Sequence, residues 1–174
     1  MIEKMRVRTR WMAGLAAAAA LCGGVASRRA GAEHFDMQLR VFTADKSAQS
    51  EMDTTPPIGG VNPRPVLKVR ADEPFRVTWR LKNSSPHGAL KGVTIHFFVV
   101  KEAKTGQKPV PNPAGEAGIV DTSFTTDMSF GATSSGALKV KIGDPGSYLV
   151  RLQSENTFEE AGHEHFSAID VEVQ

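Results

Sequence analysis

The chain has 174 residues, with 21 basic residues, 19 acidic residues and a single cysteine. Residues 1–32 contain six basic residues and one acidic residue, which leaves 15 basic and 18 acidic residues and a net charge of −3 for the remainder. This balance gives no electrostatic drive toward nucleic acid, and no basic stripe or aromatic platform replaces it. The remaining residues, about 140 in number, suffice to bury the core of one domain.

The amino terminus has the pattern of a secretory signal. Basic residues from Lys4 to Arg10 precede an apolar run from Trp11 to Cys22, as in the first two regions of a signal peptide. The run is shorter than the roughly 20 apolar residues that a membrane span requires. We therefore predict an exported protein, periplasmic or extracellular, with no transmembrane span once the signal is removed.

Two cleavage sites are compatible with the pattern. Val25-Ala26-Ser27 lies at the usual distance from the apolar run, and Ala30-Gly31-Ala32 has the better small-residue sequence. We favour the second site, which gives a signal peptide over 1–32 and a single domain over 33–174. Leu21 precedes Cys22 where a lipid anchor needs a small residue, so the mature chain should carry neither cysteine nor disulfide.

Apolar and polar residues alternate in several segments, which predicts strands. The first is Phe35–Val41, and the stretch 44–64 then loses its periodicity and reads as a long loop rich in Pro and Gly. A short strand over Val66–Arg70 precedes the most regular segment, Phe75–Lys82. That segment carries Trp79, which we expect in the core.

The second half of the chain continues this pattern. Gly92–Lys101 is apolar on both faces, which predicts either a central strand covered on both sides or a strand with one face in a partner interface. Two short strands are expected at Gly118–Phe124 and Asp127–Gly131. A last strand is expected at His165–Val173, with Asp170 and Glu172 toward water. The count of seven or eight strands indicates an all-β sandwich.

Between Gly136 and Ser154 the sequence predicts a strand, a tight turn and a strand. Asp144, Pro145 and Gly146 supply the turn chemistry. The order Asp144-x-Gly146-x-Tyr148 resembles the tyrosine corner of immunoglobulin-like sandwiches, in which the Tyr hydroxyl bonds back to the backbone.

The resemblance covers about Val66 to Val173. It implies an immunoglobulin-like antiparallel β-sandwich of seven to eight strands, of the disulfide-free kind found in bacterial exported proteins. Two departures are evident: Val150 occupies the place of the second antibody cysteine, and Trp79 lies on the second strand rather than the third. The resemblance implies a scaffold and no activity.

Histidines near the predicted strand ends suggest a metal site. His163 and His165, at a spacing of two, would project from one face of the last strand, and His34 precedes the first strand. Imidazole ligands suit copper and zinc, and Met37 would add a thioether. Alternation, however, puts Met37 and His34 on opposite faces. The competing interpretation is that these histidines are ordinary surface or half-buried polar residues. For His96, in the middle of a strand, we expect a satisfied core position, and the alternative is a pH-sensing role.

The sequence contains no GxSxG elbow, cysteine nucleophile or glycine-rich phosphate loop. Its loop carboxylates show no spacing that pairs them for acid–base work. We therefore predict a non-enzymatic binding or assembly module without a cofactor. It would be monomeric or weakly associating, and would contact an unknown protein partner through Thr94–Val100 or the 44–64 loop. The alternative is a periplasmic copper- or zinc-binding protein.

Overall fold

The computed structural model describes residues 35–51, 64–106, 118–155 and 165–174. The predicted signal peptide, both candidate cleavage sites, His34 and His163 lie outside these ranges, as does most of the 44–64 segment. Within them the chain forms strands and turns, and no helix there is long and apolar enough to cross a membrane.

The described ranges contain nine strands, which in chain order are β1 (Phe35–Phe42), β2 (Ser47–Glu51), β3 (Val66–Val69), β4 (Phe75–Asn83), β5 (Leu90–Glu102), β6 (Val120–Met128), β7 (Thr133–Val140), β8 (Gly146–Glu155) and β9 (His165–Val173). They build a four-stranded sheet in the order β2-β1-β4-β7 and a five-stranded sheet in the order β3-β9-β8-β5-β6. The all-β sandwich prediction is confirmed.

The main core forms where the inner rows of both sheets meet. In β4, Phe75, Val77 and Leu81 are fully buried and Trp79 is 4% exposed, while Arg76 and its alternate neighbours face water. The inner rows of the other sheet belong to the same hydrophobic cluster. Full burial of each such apolar side chain contributes about 1.5–3 kcal/mol to the stability of the fold. The alternation of apolar and polar residues therefore determines which faces of the two sheets meet.

β5 lies between β8 and β6 and is buried on both faces. Ile95, Phe97 and Val99 belong to the main core. Phe98 and Val100, on the opposite face, form a second buried cluster with side chains of β8 and β9. Of the two interpretations of this strand, the central position is the observed one, and Thr94–Val100 does not present a free apolar face.

The prediction that the whole 44–64 segment is a loop is wrong. The 44–64 loop contains β2, which pairs with β1 so that Ser47 lies opposite Phe42 and Glu51 opposite Gln38. The strand has a single buried residue, Ala48, so its sequence carries no alternation to detect. Backbone pairing to β1, rather than its own hydrophobic pattern, defines it.

The two short strands expected between 118 and 131 are one continuous strand, β6, because its polar Thr122 and Thr126 occupy inward positions that alternation by hydrophobicity does not register. The described ranges contain nine strands rather than the seven or eight predicted, and β2 is the strand that was not expected. The sandwich is also not wholly antiparallel, since β3 pairs with β9 in parallel register, with Val66 opposite Asp170.

Candidate functional site

The residues of the predicted corner meet at the start of β8. The hydroxyl of Tyr148 donates a hydrogen bond to the backbone carbonyl of Asp144 at 2.8 Å, and the phenol is almost fully buried. Gly146 has a φ of 146°, which favours glycine. The contribution of Asp144 to this bond comes from its main chain, so the corner fastens the turn to the core rather than forming a reactive site.

The predicted metal ligands fall mainly outside the described ranges. Of His34, His163 and His165, only the backbone of His165 is described, where it begins β9 opposite Ser154. β1 begins at Phe35 at the same end of the sandwich, and its Cα atoms approach those of β9. Within the described ranges, no group of three or more His, Cys, Asp or Glu residues is placed to hold a metal. The histidine site remains a prediction.

The fourth predicted histidine position differs in kind. His96 lies in the middle of β5, half-buried, with its ring edge-on to Phe98 and the ring centroids 5.5 Å apart. It packs on the outer face of the five-stranded sheet and is not a buried core residue, so the core position expected for His96 is wrong.

Sequence reasoning missed a buried ionic cluster of Arg64, Glu102 and Asp170. Arg64 Nε lies 2.6 Å from Asp170 Oδ1, and Arg64 Nη2 lies 2.9 Å from Glu102 Oε1. The expectation that Asp170 faces water is wrong: the residue is fully buried, and its Oδ2 also accepts the Gly106 amide at 2.6 Å. Alternation places Asp170 on the outer face of the sheet, but that face is buried here.

Burial has a marked effect on one member of the ionic cluster. Loss of solvation raises the pKa of Glu102 from 4.5 to about 7, although the Arg64 guanidinium acts in the opposite direction. The Asp170 charge raises the pKa of Glu102 further. A carboxyl group of this kind changes its charge near neutral pH.

The accessible feature of the sandwich is the flank formed by β6 and β7. Each is the last strand of its sheet, and residues 129–132 connect them directly. We call this side the open flank, defined by β6 and β7. No described backbone group pairs with the outer edge of either strand. Unpaired strand edges are sites where another strand can add.

The four sheet edges are not equally accessible. β2 has five residues and β3 has four, and short edge strands resist pairing. β7 has eight residues but carries the exposed Lys139, and a charged lysine deters strand addition. β6 has nine residues and contains no Pro, Gly, Lys or Arg, so it is the edge least protected against pairing.

The side chains of β6 divide into two rows. The inward row is partly buried, and its Phe124 ring stacks on Trp79 with ring centroids 5.5 Å apart and planes at 28°. The outward row, Asp121, Ser123 and Thr125, is exposed. The open flank thus offers apolar contact on the inside and polar contact on the outside.

The two acidic residues of β6 have different surroundings. Asp127 lies 2.8 Å from Lys91 Nζ and accepts the Gly92 amide at 2.9 Å, and these contacts hold its pKa below the usual value. Asp121 makes no salt bridge with any described residue and lies exposed. It is therefore the available negative charge on the free edge.

No protein-family model matches the sequence, and no curated protein matches it. Among solved structures, the chain is similar to a family 123 glycoside hydrolase from Clostridium perfringens, with 11% sequence identity and a TM-score of 0.39. The similarity covers 63% of this chain and 23% of the hydrolase chain, so this chain spans less than a quarter of that protein. A TM-score this low does not establish a common fold.

Proposed function

We propose that the chain is an exported, non-enzymatic binding module with an immunoglobulin-like fold, which takes up an extended segment of a partner protein at the edge of β6. The observation that carries this proposal is the nine-residue edge of β6, with which no backbone group of the described ranges pairs. The predicted signal peptide supports export.

The strand order supports the immunoglobulin-like assignment. If β1, β4 and β7 correspond to strands A, B and E, then β5, β8 and β9 correspond to C, F and G of the other sheet. Tyr148 then lies near the start of F, where the tyrosine corner belongs. Trp79 lies on B, and buried Val150 occupies the position of the F-strand cysteine.

The same correspondence explains why the flank is open. In the constant-type immunoglobulin domain, strand D pairs with E and covers its edge. Here β6 leads into β7 through residues 129–132 alone, which leaves no room for a D strand. Among the described strands, β6 and β7 therefore end their sheets side by side, and none of these strands covers their outer edges.

The partner segment is defined by the chemistry of β6. Added to the edge, it would bond through its main chain, and its alternate side chains would select for sequence. Its inward side chains would extend the partly buried row that contains Phe124, so they should be apolar. A basic residue should face Asp121. Antiparallel pairing of two β6 strands about Phe124 would set Asp121 against Asp127, so like charges disfavour a second copy of this chain as the occupant.

The experiment uses a displayed library of random twelve-residue peptides selected against the purified protein. We expect selected peptides to alternate apolar and polar residues and to carry Lys or Arg in the polar row. Their affinity should fall at least tenfold for Asp121→Asn, and hardly change for Asp36→Asn, which removes an exposed acid from β1 of the other sheet.

Two proline variants provide a matched pair on the edge itself. The amides of Thr122 and Ser123 point to opposite sides of β6, so only one bonds to β5. Thr122→Pro and Ser123→Pro should therefore differ: one destabilises the fold, and the other leaves it intact but removes peptide binding. Undiminished binding by the stable proline variant would contradict the proposal, as would a tight dimer at micromolar concentration.

The alternative, a periplasmic copper- or zinc-binding protein, retains one supporting observation. β1 and β9 start at the same end of the sandwich, which brings the chain next to His34 and His163 toward one another.

A further inference from the structure

The ionic cluster joins three parts of the chain that are far apart in sequence. Arg64 leads into β3, Glu102 ends β5, and Asp170 lies within β9. Arg64 Nη2 donates to both carboxylate oxygens of Glu102, at 2.9 and 3.0 Å, and Nε donates to Asp170. None of the three side chains is more than 6% exposed. Charge interactions at this depth are screened far less than those at the surface.

The ionic cluster also fastens backbone. The Asp170 amide donates to the carbonyl of Pro65 at 2.9 Å, directly before β3. β3 is four residues long and, of the described strands, pairs only with β9, in parallel register. Parallel pairing is slightly weaker per residue than antiparallel pairing. The position of so short a strand therefore depends on the contacts that Arg64 and Pro65 make directly before it.

The charges of the ionic cluster do not balance. With one guanidinium and two carboxylates, the cluster carries a net charge of −1 when both acids are ionised. Burial of uncompensated charge is costly. A proton on Glu102 removes the excess and leaves Arg64 paired one-to-one with Asp170.

A further buried cation on this face of the sheet is Arg151 of β8, whose guanidinium lies 4.2 Å from the centre of the Phe166 ring. Across the sheet from Glu102, β8 presents the uncharged Ser147. Lys101 is on the other face of β5, with its ammonium 6.0 Å from the centre of the Tyr148 ring. The charges that shift the pKa of Glu102 are those of Arg64 and Asp170.

We propose that Arg64, Glu102 and Asp170 form a proton-operated clasp, in which protonation of Glu102 fastens the start of β3 to β9 and ionisation of Glu102 loosens it. Loosening β3 uncovers the edge of β9, so the five-stranded sheet would gain a second free edge opposite β6. This inference is independent of whether a partner binds at β6.

The direction of the pH effect follows from linkage. Burial raises the pKa of Glu102 from 4.5 to about 7. A carboxyl whose pKa is raised by folding stabilises the fold fully below its unfolded pKa, and this stabilisation is lost as the pH rises through the folded pKa. The clasp therefore weakens as the pH rises from about 4.5 through about 7, and Glu102 causes no further loss once it is ionised in both states.

The direct test is a carbon-13 NMR titration of the Glu102 side-chain carboxyl in the purified protein, assigned with Glu102→Gln. We expect a midpoint near pH 7. A midpoint near 4.5 would overturn the proposal, whether or not the variant folds well.

Amide hydrogen exchange then tests whether ionisation of Glu102 loosens the pairing of β3 with β9. The Asp170 and Gln174 amides, which bond to Pro65 and Val69, should lose protection at least fivefold between pH 5.5 and pH 8 after correction for intrinsic exchange. In Glu102→Gln this loss should vanish, and in the control Asp36→Asn, which changes an exposed acid of β1, it should persist. Equal pH dependence in wild type and Glu102→Gln would overturn the clasp.

Discussion

The indole of Trp79 occupies the space that a side chain at position 136 would need. A Cβ atom built on Gly136 would lie 2.6 Å from Cζ2 of Trp79 and 2.8 Å from its Nε1. The two residues face each other across the β4–β7 pair. Trp79 in turn stacks on Phe124 of β6, so this contact joins the two strands of the open flank through the core.

Gly136→Ala should therefore lower the free energy of unfolding by about 1–3 kcal/mol, the usual cost of overpacking. Gly143→Ala is the matched control, because its Cβ would approach Asp72 no closer than 3.5 Å, an ordinary contact. Urea unfolding of both variants measures the difference. Equal stability of the two variants would show that the Trp79 ring moves aside freely.

The tyrosine corner gives a second prediction. Tyr148→Phe removes the 2.8 Å hydrogen bond to the Asp144 carbonyl and should cost about 0.5–1.5 kcal/mol. Asp144→Ala keeps the backbone acceptor, so thermal unfolding should show little change. A larger loss in Asp144→Ala than in Tyr148→Phe would mean that the Asp144 side chain, not the phenol, holds the turn.

Tyr148 is the single tyrosine of the chain, so its ionisation can be followed by ultraviolet absorbance. Burial first, and then the Asp144 charge, raise the pKa of Tyr148 above 10. Stability should consequently decline as the pH rises from about 10 through that higher pKa. Absorbance and circular dichroism recorded together should show the phenol ionising late, as the fold is lost. Ionisation at pH 10 in the intact fold would contradict the burial.

Asn83 connects two loops at the opposite end of the sandwich. Its buried side chain donates to the carbonyls of Gly88 and Met128 and accepts the Ser85 amide, at 2.8–2.9 Å. Asn83→Asp should lower stability by at least about 2 kcal/mol at pH 7, because an ionised carboxylate cannot donate to two carbonyls. Part of the loss should be recovered in acid, where the carboxyl regains a proton. Denaturant curves at pH 7 and pH 4 check this; wild-type stability at pH 7 would contradict it.

The metal alternative is tested by calorimetric titration with Cu²⁺ and Zn²⁺. If it holds, wild type binds with a micromolar or tighter dissociation constant, and His163→Ala/His165→Ala abolishes binding. His87→Ala/His96→Ala removes the same number of imidazoles elsewhere and should leave binding unchanged. Absence of binding in wild type would eliminate the alternative, and unchanged binding in the first double variant would remove those two histidines from the site.

The parts of the fold that the sequence predicts are those where burial and alternation coincide. β1 and β4 follow the two-residue pattern closely, and the Asp144–Tyr148 turn has a local chemical signature. β2 was missed because a strand with one buried side chain shows no pattern. The pairing of an edge strand depends on the strand beside it, and the sequence of the edge strand alone does not show which strand that is.

The sequence alone did not predict the ionic cluster or the open flank, for related reasons. Asp170 alternates with apolar residues just as a solvent-facing acid does, and only the approach of Arg64, over 100 positions away in the chain, marks it as buried. The open flank arises from the direct passage of β6 into β7, a fact of topology rather than composition.

The most direct test of the account is amide hydrogen exchange of the protein with and without a selected strand-forming peptide. We predict new protection at alternate residues of β6, between Val120 and Met128, because only outward-pointing amides gain a partner, with no comparable change in β2 or β7. Protection confined to the loops around Asn83, with β6 unchanged, would contradict strand addition at the open flank.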